Sequence, residues 1–487
     1  MKTIKDILYK VAINKVIGST NNVINELVFD SRKVSLNDMY VAIKGANVDG
    51  HAYIKKAAYA GALAIVCETL PDEIINGITY IQVDDTQEAL AIIAANYYNN
   101  PSQKLKLVGV TGTNGKTTIS TLLYQLYLNA GYKTGLISTI NIKVGETEYS
   151  TNLTTPDPIV INKYLAKMIT EGVDYCFMEV SSHGIAQRRI AGLKFTGGIF
   201  TNLSHDHLDY HKTFAAYRDI KKRFFDSLPK DAFALSNIDD KNGHFILQNT
   251  KARKFTYGLK NNADFKAKIL ENHFQGLQLR IDENEVWTKL VGSFNAYNLL
   301  AIYATAILLE MDKIEALKHI STLNSVEGRF QYFVSKKKCV IIVDYAHTPD
   351  ALENVLQTIA NIRTGNETVY TIVGCGGDRD PSKRPIMAKI AVENSDQVIL
   401  TSDNPRTENP EKIIVQMEAG VPAEKYARVT TNVDRKQAIK SALQLAKPND
   451  IILIAGKGHE KYQEIDGVRN PFDDMAIAKE MINLLNK

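Results

Sequence analysis

Residues 109–118 read GVTGTNGKTT and follow directly on the apolar run KLKLV at 104–108. Glycines at this density let backbone N–H groups close around phosphate oxygens. The Lys116 side chain can reach a nucleotide's terminal phosphates, and the Thr117 hydroxyl can face Mg²⁺. The spacing departs from the common G-x-x-x-x-G-K-[ST] loop, whose first glycine would fall at 110; the chain has Val110 there, between Gly109 and Gly112. This is a variant phosphate loop. The stretch TTISTLLYQLYLNAG after it has helical periodicity, and a strand before the loop with a helix after it is the setting in which such a loop works.

Outward from the loop, strand-like runs (KTGLIST, YCFMEVSS, GGIFTNLS, AFALSN) alternate with helical patterning. This predicts a mostly parallel sheet whose ligands sit beyond the carboxyl ends of its strands. Upstream, ELVFDSR, DMYVAIKG, LAIVCE and TYIQVDD, closed by EALAIIAANYYN and the turn-rich NPSQ, form a smaller α/β unit. After Glu327-Gly328-Arg329 a second alternating series begins (CVIIVDYA, TVYTIVGCGG, QVILTSD, YARVTTN, DIILIAG). The expectation is an α/β protein of three domains, at 1–103, 104–330 and 331–487, which a length of 487 residues accommodates. There is no internal repeat, low-complexity tract or heptad seam.

Composition narrows the function classes. With 58 basic and 54 acidic residues the net charge of +4 is small, and no basic run interleaves with aromatics, so a nucleic-acid partner is not implied. Cys67, Cys176, Cys339 and Cys375 are scattered without a C-x-x-C, and three lie inside apolar runs, as reduced core thiols do. The N-terminal MKTIKDILYKVAINKV has no long apolar stretch or small-residue cleavage site, and no segment approaches the roughly 18 apolar residues of a membrane span. A soluble cytoplasmic protein is expected.

Polar residues close each strand of the central series: Thr111–Thr118, then EVSSH at 179–183, then NLSHDH at 202–207. Glu179 is placed to hold Mg²⁺ beside Thr117, because a hard cation takes oxygen ligands together with the nucleotide's phosphates. HDHLDYH at 205–211 invites a two-metal hydrolase reading, but Tyr210 stands where the last histidine should, and His211 is one step late. His207 as an additional Mg²⁺ ligand is more economical, with His205 an ordinary histidine.

Ten motifs in one order carry a resemblance: TGTNGKTT, MEVSSHG, FTNLSHDHLDYH, YRDIKKRFF, SFNAYNLLA, VEGRF, VDYAHTPDAL, GCGGDRDPSKRP, DNPRTENP and AGKGHE. Together they resemble the Mur ligases, and among them the UDP-N-acetylmuramoyl-tripeptide synthetases, over nearly the whole chain. The resemblance implies a UDP-sugar-binding N-terminal domain, a central P-loop ATPase-like domain and a Rossmann-like C-terminal domain that receives the amino acid. It also implies ATP-dependent acid–amino-acid ligation in peptidoglycan-precursor synthesis: ATP phosphorylates a carboxyl group, and an incoming amine displaces phosphate from the acyl phosphate.

Carried over by residue, the resemblance places ATP phosphates on Gly112, Thr113, Asn114, Gly115, Lys116, Thr117 and Thr118, with adenine near Asn295 and Asn298. Arg329 and Asp344 act on the phosphates from the far side of the cleft. One Mg²⁺ falls to Thr117 and Glu179, and a second to His207 and a carbamylated Lys221, aligned through Tyr217, Phe224 and Phe225 although Ile220 replaces the usual alanine. The nucleotide-sugar substrate maps to Phe29, Ser31, Ala46, Asn47 and Val48, and its peptide to Thr154, Thr155, Ser181, Gln187 and Arg189.

Asp403-Asn404-Pro405-Arg406 matches the form of the family that adds meso-diaminopimelate, with Arg379, Gly456 and Glu460 completing the set. A guanidinium fork can hold the far carboxylate of diaminopimelate, a group that L-lysine lacks. The competing readings are the same ligase adding L-lysine, a folylpolyglutamate synthetase-like amide ligase and, from another class, a P-loop kinase or ATP-driven binding module. A monomer is expected.

Overall fold

The computed structural model describes residues 2–45 and 48–487. Its centre is the strand Lys106–Thr111, in which the last five residues, Leu107 to Thr111, are buried, so no inside–outside alternation appears. It lies between two parallel neighbours, Tyr175–Glu179 and Gly197–Phe200. Thr134–Ile137 continues the parallel core beyond the first neighbour, and Phe233–Asn237 and Arg253–Gly258 continue it beyond the second. Chain order runs in opposite directions on the two sides of Lys106–Thr111, which makes its carboxyl end a switch point where ligands can sit.

Both margins of this sheet are antiparallel. Asn141–Val144 and Thr147–Ser150 form a hairpin at one edge, and Phe265–His273, Gly276–Ile281 and Asn284–Thr288 form a meander at the other. The Ile281–Asn284 turn is made by Asp282 and Glu283, both with positive φ (45° and 67°), the twist a two-residue hairpin needs. The mostly parallel sheet expected from the sequence therefore occupies the middle of a larger mixed sheet.

Two smaller sheets, of five and six strands, complete the α/β architecture, beside two-stranded ribbons at Lys2–Thr3 with Val23–Ile24 and at Tyr462–Ile465 with Val468–Pro471. Strands between residues 15 and 82 order as Lys15–Ile17, Thr79–Gln82, Ala64–Cys67, Met39–Val41 and Leu27–Val28, with only the first pair antiparallel. The third sheet orders as Gln331–Val334, Val340–Asp344, Ile451–Ala455, Val369–Val373, Gln397–Thr401 and Val429–Asn432, again antiparallel only at its first pair. Apolar clusters cover both faces of each sheet. Among the described residues no helix is long and apolar enough to cross a membrane.

One helix of the central unit places a buried lysine. Phe214–Asp226 is capped by Thr213, whose hydroxyl accepts from Ala216 N, and it turns Tyr217, Phe224 and Phe225 into the core. Lys221 is one turn from both ends of that apolar stripe and is carried inward with it, 1% exposed. Lys222, also buried, pairs with Asp226 one turn on, at 2.7 Å.

Candidate functional site

The glycine loop owes its shape to two close approaches. Gly112 has φ +151°, and a Cβ there would lie 1.9 Å from Thr201 Oγ1; Gly115 has φ +88°, and a Cβ there would meet Asn298 Oδ1 at 2.8 Å. Asn202 fixes the turn between them, since its carbonyl accepts from Thr113 N and its side-chain oxygen from Asn114 N at 2.9 Å. Thr113 Oγ1 also lies 3.1 Å from the Tyr217 hydroxyl. The helix Lys116–Asn129 then starts, with Thr117 and Thr118 buried in its first turn.

Cations crowd this loop. Lys116 Nζ donates to the carbonyls of Gly112 (3.0 Å) and Thr113 (2.7 Å), and Lys221 Nζ donates to the same Gly112 carbonyl at 2.8 Å. Burial pulls both lysines below the usual range, and Lys116 pushes Lys221 down further. Arg329 arrives from the segment before the third sheet, donates through Nη2 to Thr117 Oγ1 at 3.1 Å and rests over the Tyr345 ring, with Nε buried and unpartnered. Three basic groups thus meet around backbone carbonyls and one hydroxyl. Such a site is completed by a polyanion.

Two acids balance it in part. Glu179, wholly buried, accepts from Thr117 Oγ1 (3.1 Å) and from Thr139 through both its backbone N (2.7 Å) and its hydroxyl (3.1 Å). Asp206 accepts from His207 N and lies 3.4 Å from His207 Nε2; loss of solvent pushes that imidazole down to about 4. Among the described residues no three His, Cys, Asp or Glu side chains converge as a closed metal cage. A hydroxyl beside a carboxylate is instead an open oxygen set, which suits a cation that takes its other ligands from phosphate and water.

The remaining expected residues fall into distinct groups. Asn298 faces the loop, and Asn295 stands behind it, accepting from Asn298 Nδ2 at 3.0 Å while donating to Val291 O. Both Asp344 oxygens accept backbone N–H groups, from Phe330 (2.6 Å) and Ala346 (2.7 Å), so this carboxylate fastens the segment carrying Arg329. Thr155 Oγ1 donates to Glu179 O and accepts from Ser181 N, and the Thr155 carbonyl accepts from Arg189, which also holds Gln187; Thr154 joins through Thr139. Thr154, Thr155, Ser181, Gln187 and Arg189 therefore form one connected wall beside Glu179. Phe29 and Val48 are exposed and Ser31 is buried in the first unit, with no hydrogen bond to this wall; Ala46 and Asn47 lie outside the described residues.

The third unit supplies two further groups. Asn404 Nδ2 donates to Glu460 (2.8 Å), while Asn404 Oδ1 accepts from the fully buried Lys457 (2.9 Å) and from Glu464 N (2.9 Å). Asp403 keeps Oδ2 buried and unpartnered, close against Gly456, where φ is +117°. Arg406, at φ +52°, donates to Gly377 O at 2.6 Å and lies 3.8 Å from Glu464, with the buried Pro405 before it and the exposed Arg379 on the facing loop. His459 packs at a tilt against Tyr345, 4.9 Å between ring centres, which links these groups to Arg329 and so to the phosphate loop.

Sequence reasoning missed Asp350 and Thr139, and it gave Asn202 and Asp206, inside the strand-end stretch 202–207, no role of their own. Asp350 accepts from Asn114 Nδ2 (2.7 Å) and Ser204 Oγ (2.9 Å), closing the third unit onto the loop from 236 residues away. Locally it reads as an ordinary acid in the first turn of the helix Pro349–Ile362.

Residues 110–306 match the Mur ligase middle domain, 328–458 the Mur ligase glutamate ligase domain and 23–98 the Mur ligase family catalytic domain. A protein of Cytophaga hutchinsonii named UDP-N-acetylmuramoyl-L-alanyl-D-glutamate--2,6-diaminopimelate ligase is 53% identical, over 99% of this chain and 100% of its own length. A solved structure of a ligase of that name superposes with TM-score 0.70 at 31% identity, over 100% of this chain and 99% of the other. The fold is shared more widely: a Thermotoga maritima MurF ligase solved with ADP gives TM-score 0.62 at 18% identity, over 94% and 96% of the two chains.

Proposed function

Since the chain belongs to the Mur ligase family, whose members depend on ATP, we propose that it joins meso-2,6-diaminopimelate to the D-glutamate of UDP-N-acetylmuramoyl-L-alanyl-D-glutamate during peptidoglycan-precursor synthesis. The observation that carries this reading is the convergence of Lys116, Lys221 and Arg329 on a glycine loop that the third unit closes over. We take residues 1–103, 104–330 and 331–487 as the units for nucleotide sugar, ATP and amino acid.

The chemistry follows from what each group can do. A carboxylate is a poor electrophile, so the D-glutamate oxygen first takes the γ-phosphoryl group and ADP leaves. Lys116 and Arg329 hold the charge on the transferring group, and the buried loop keeps water from the acyl phosphate. The amine of the incoming amino acid, held by the loops around Arg406 and Glu460, then attacks the acyl carbon. The tetrahedral intermediate expels phosphate and a proton is lost from nitrogen. The work is positioning and charge neutralisation, and closure by Arg329 and Asp350 completes the site.

Thr117 with Glu179, and His207 with a carbamylated Lys221, would hold Mg²⁺, which neutralises phosphate charge when bound. Carbamylation suits Lys221 because the ammonium is buried beside Lys116, and among the described side chains no carboxylate pairs with it. CO₂ uptake would turn it into an oxygen donor of opposite charge. Four buried free thiols support a reducing, cytoplasmic setting, and a site built within one chain supports a monomer.

The test is phosphate release from ATP with the UDP-dipeptide, adding meso-diaminopimelate or L-lysine in parallel. Stimulation by diaminopimelate alone is expected. Stimulation by lysine keeps the ligase and rejects the part given to Arg406, whereas release indifferent to both returns the protein to the kinase or ATPase readings.

A further inference from the structure

Arg384 is the second residue of the helix Lys383–Asn394 and is 1% exposed. Its guanidinium takes both oxygens of Glu408 (2.8 and 2.9 Å), Gln416 Oε1 (2.5 Å) and the Gly376 carbonyl (3.2 Å). Glu408 Oε1 also accepts from Asp378 N at 2.6 Å, and the Arg384 fork holds the Glu408 carboxyl below its ordinary range. Around this pair two loops are sewn together: Gly377 N donates to Asn404 O, Thr407 Oγ1 donates to Asp378, and Arg406 donates to Gly377 O.

One loop carries Arg379 and the other carries Arg406. We infer that Arg384 and Glu408 are positioning residues for the amino-acid substrate, a strap that sets the separation at which these two guanidinium groups meet the carboxylates of the incoming amino acid. The role rests on the reading of these loops as the amino-acid site. The geometry favours it over a plain structural pair because nearly every bond of the strap ends on the two loops, with Gln416 the one anchor in the body of the unit. A bidentate Arg–carboxylate pair also fixes orientation as well as distance. The strap touches neither the phosphate loop nor the wall around Thr155.

Glu408→Gln and Arg384→Lys, each in the full chain, test it. Glu408 is about one-third exposed, so its variant removes the charge without opening the core. With each substrate varied in turn, both variants are expected to raise KM for meso-diaminopimelate roughly tenfold and to narrow the preference over L-lysine. KM for ATP and for the UDP-dipeptide should stay within about twofold. An unchanged diaminopimelate KM in both variants overturns the strap, as does a rise of all three KM values together with a fall in melting temperature. A wild-type enzyme that ignores diaminopimelate overturns instead the substrate reading beneath it, and that result is in hand before any variant is made.

Discussion

Arg329 makes one hydrogen bond across the cleft and leaves Nε buried without a partner, an arrangement that holds a charge ready for an anion. Arg329→Ala is expected to lower kcat by about 10²–10³ while leaving the melting temperature nearly unchanged, as steady-state phosphate release and calorimetry would show. Arg406→Lys keeps the charge and loses the fork, so the ratio of kcat/KM for diaminopimelate over lysine should fall roughly 10- to 100-fold. Lys116, Thr117 and Glu179 were legible in the sequence because each lies at a strand end or helix start with chemistry of its own. Asp350 and Thr139 were not, since their meaning comes from partners far along the chain. Asp344 was expected to act on the phosphates, yet its carboxylate engages two backbone N–H groups, a commitment that no local pattern reveals.

The variant loop works because the strand Lys106–Thr111 delivers it against Thr201 and Asn202, with no room for a side chain. Gly112→Ala is expected to cost more than about 2 kcal/mol and to abolish ADP binding, read by thermal melting and titration calorimetry, because φ +151° and a 1.9 Å contact must both be relieved. The helix Pro349–Ile362 meets the same loop through a single carboxylate. Asp350→Ala should therefore raise KM for ATP by roughly tenfold with little loss of stability, since only the docked arrangement uses that contact. At this scale the parallel strands announced themselves as unbroken apolar runs. The meander at 265–288 did not, because FKAKILENH mixes charge into its alternation and the Asp282-Glu283 turn lacks the usual Asn-Gly signal.

Across the whole molecule, titration gives a signed expectation. His347 and His459 are pushed down to about 4 and about 3, chiefly by burial, so both fold as neutral imidazoles. The unfolded chain binds their protons first. Their contribution is thus intact above pH 6.5 and is lost as pH falls from there toward 4 and 3, at about 1.4 kcal/mol per pH unit for each histidine. Urea midpoints measured at pH 7 and pH 5 should differ in that direction, with the pH 5 value lower. Three series of strands could be read from the sequence; how their sheets close on one another could not, because Asn114–Asp350 and Thr117–Arg329 span more than 200 residues each.

The order of strands in the third sheet bears on how the protein is made. Ile451–Ala455 sits between Val340–Asp344 and Val369–Val373, although it is the last of the six to leave the ribosome. Until it is made, Val340–Asp344 and Val369–Val373 lack the strand that pairs with both, and unpaired strand edges are the kind of surface that chaperones shield. Residues 456–460 follow that strand directly, and the helix Asp474–Leu484, anchored by the fully buried Arg435–Asp474 pair, is made later still. A chain broken off before Ile451 therefore lacks, at one stroke, the middle strand of this sheet and the loop at 456–460 that meets Asn404 and Gly328.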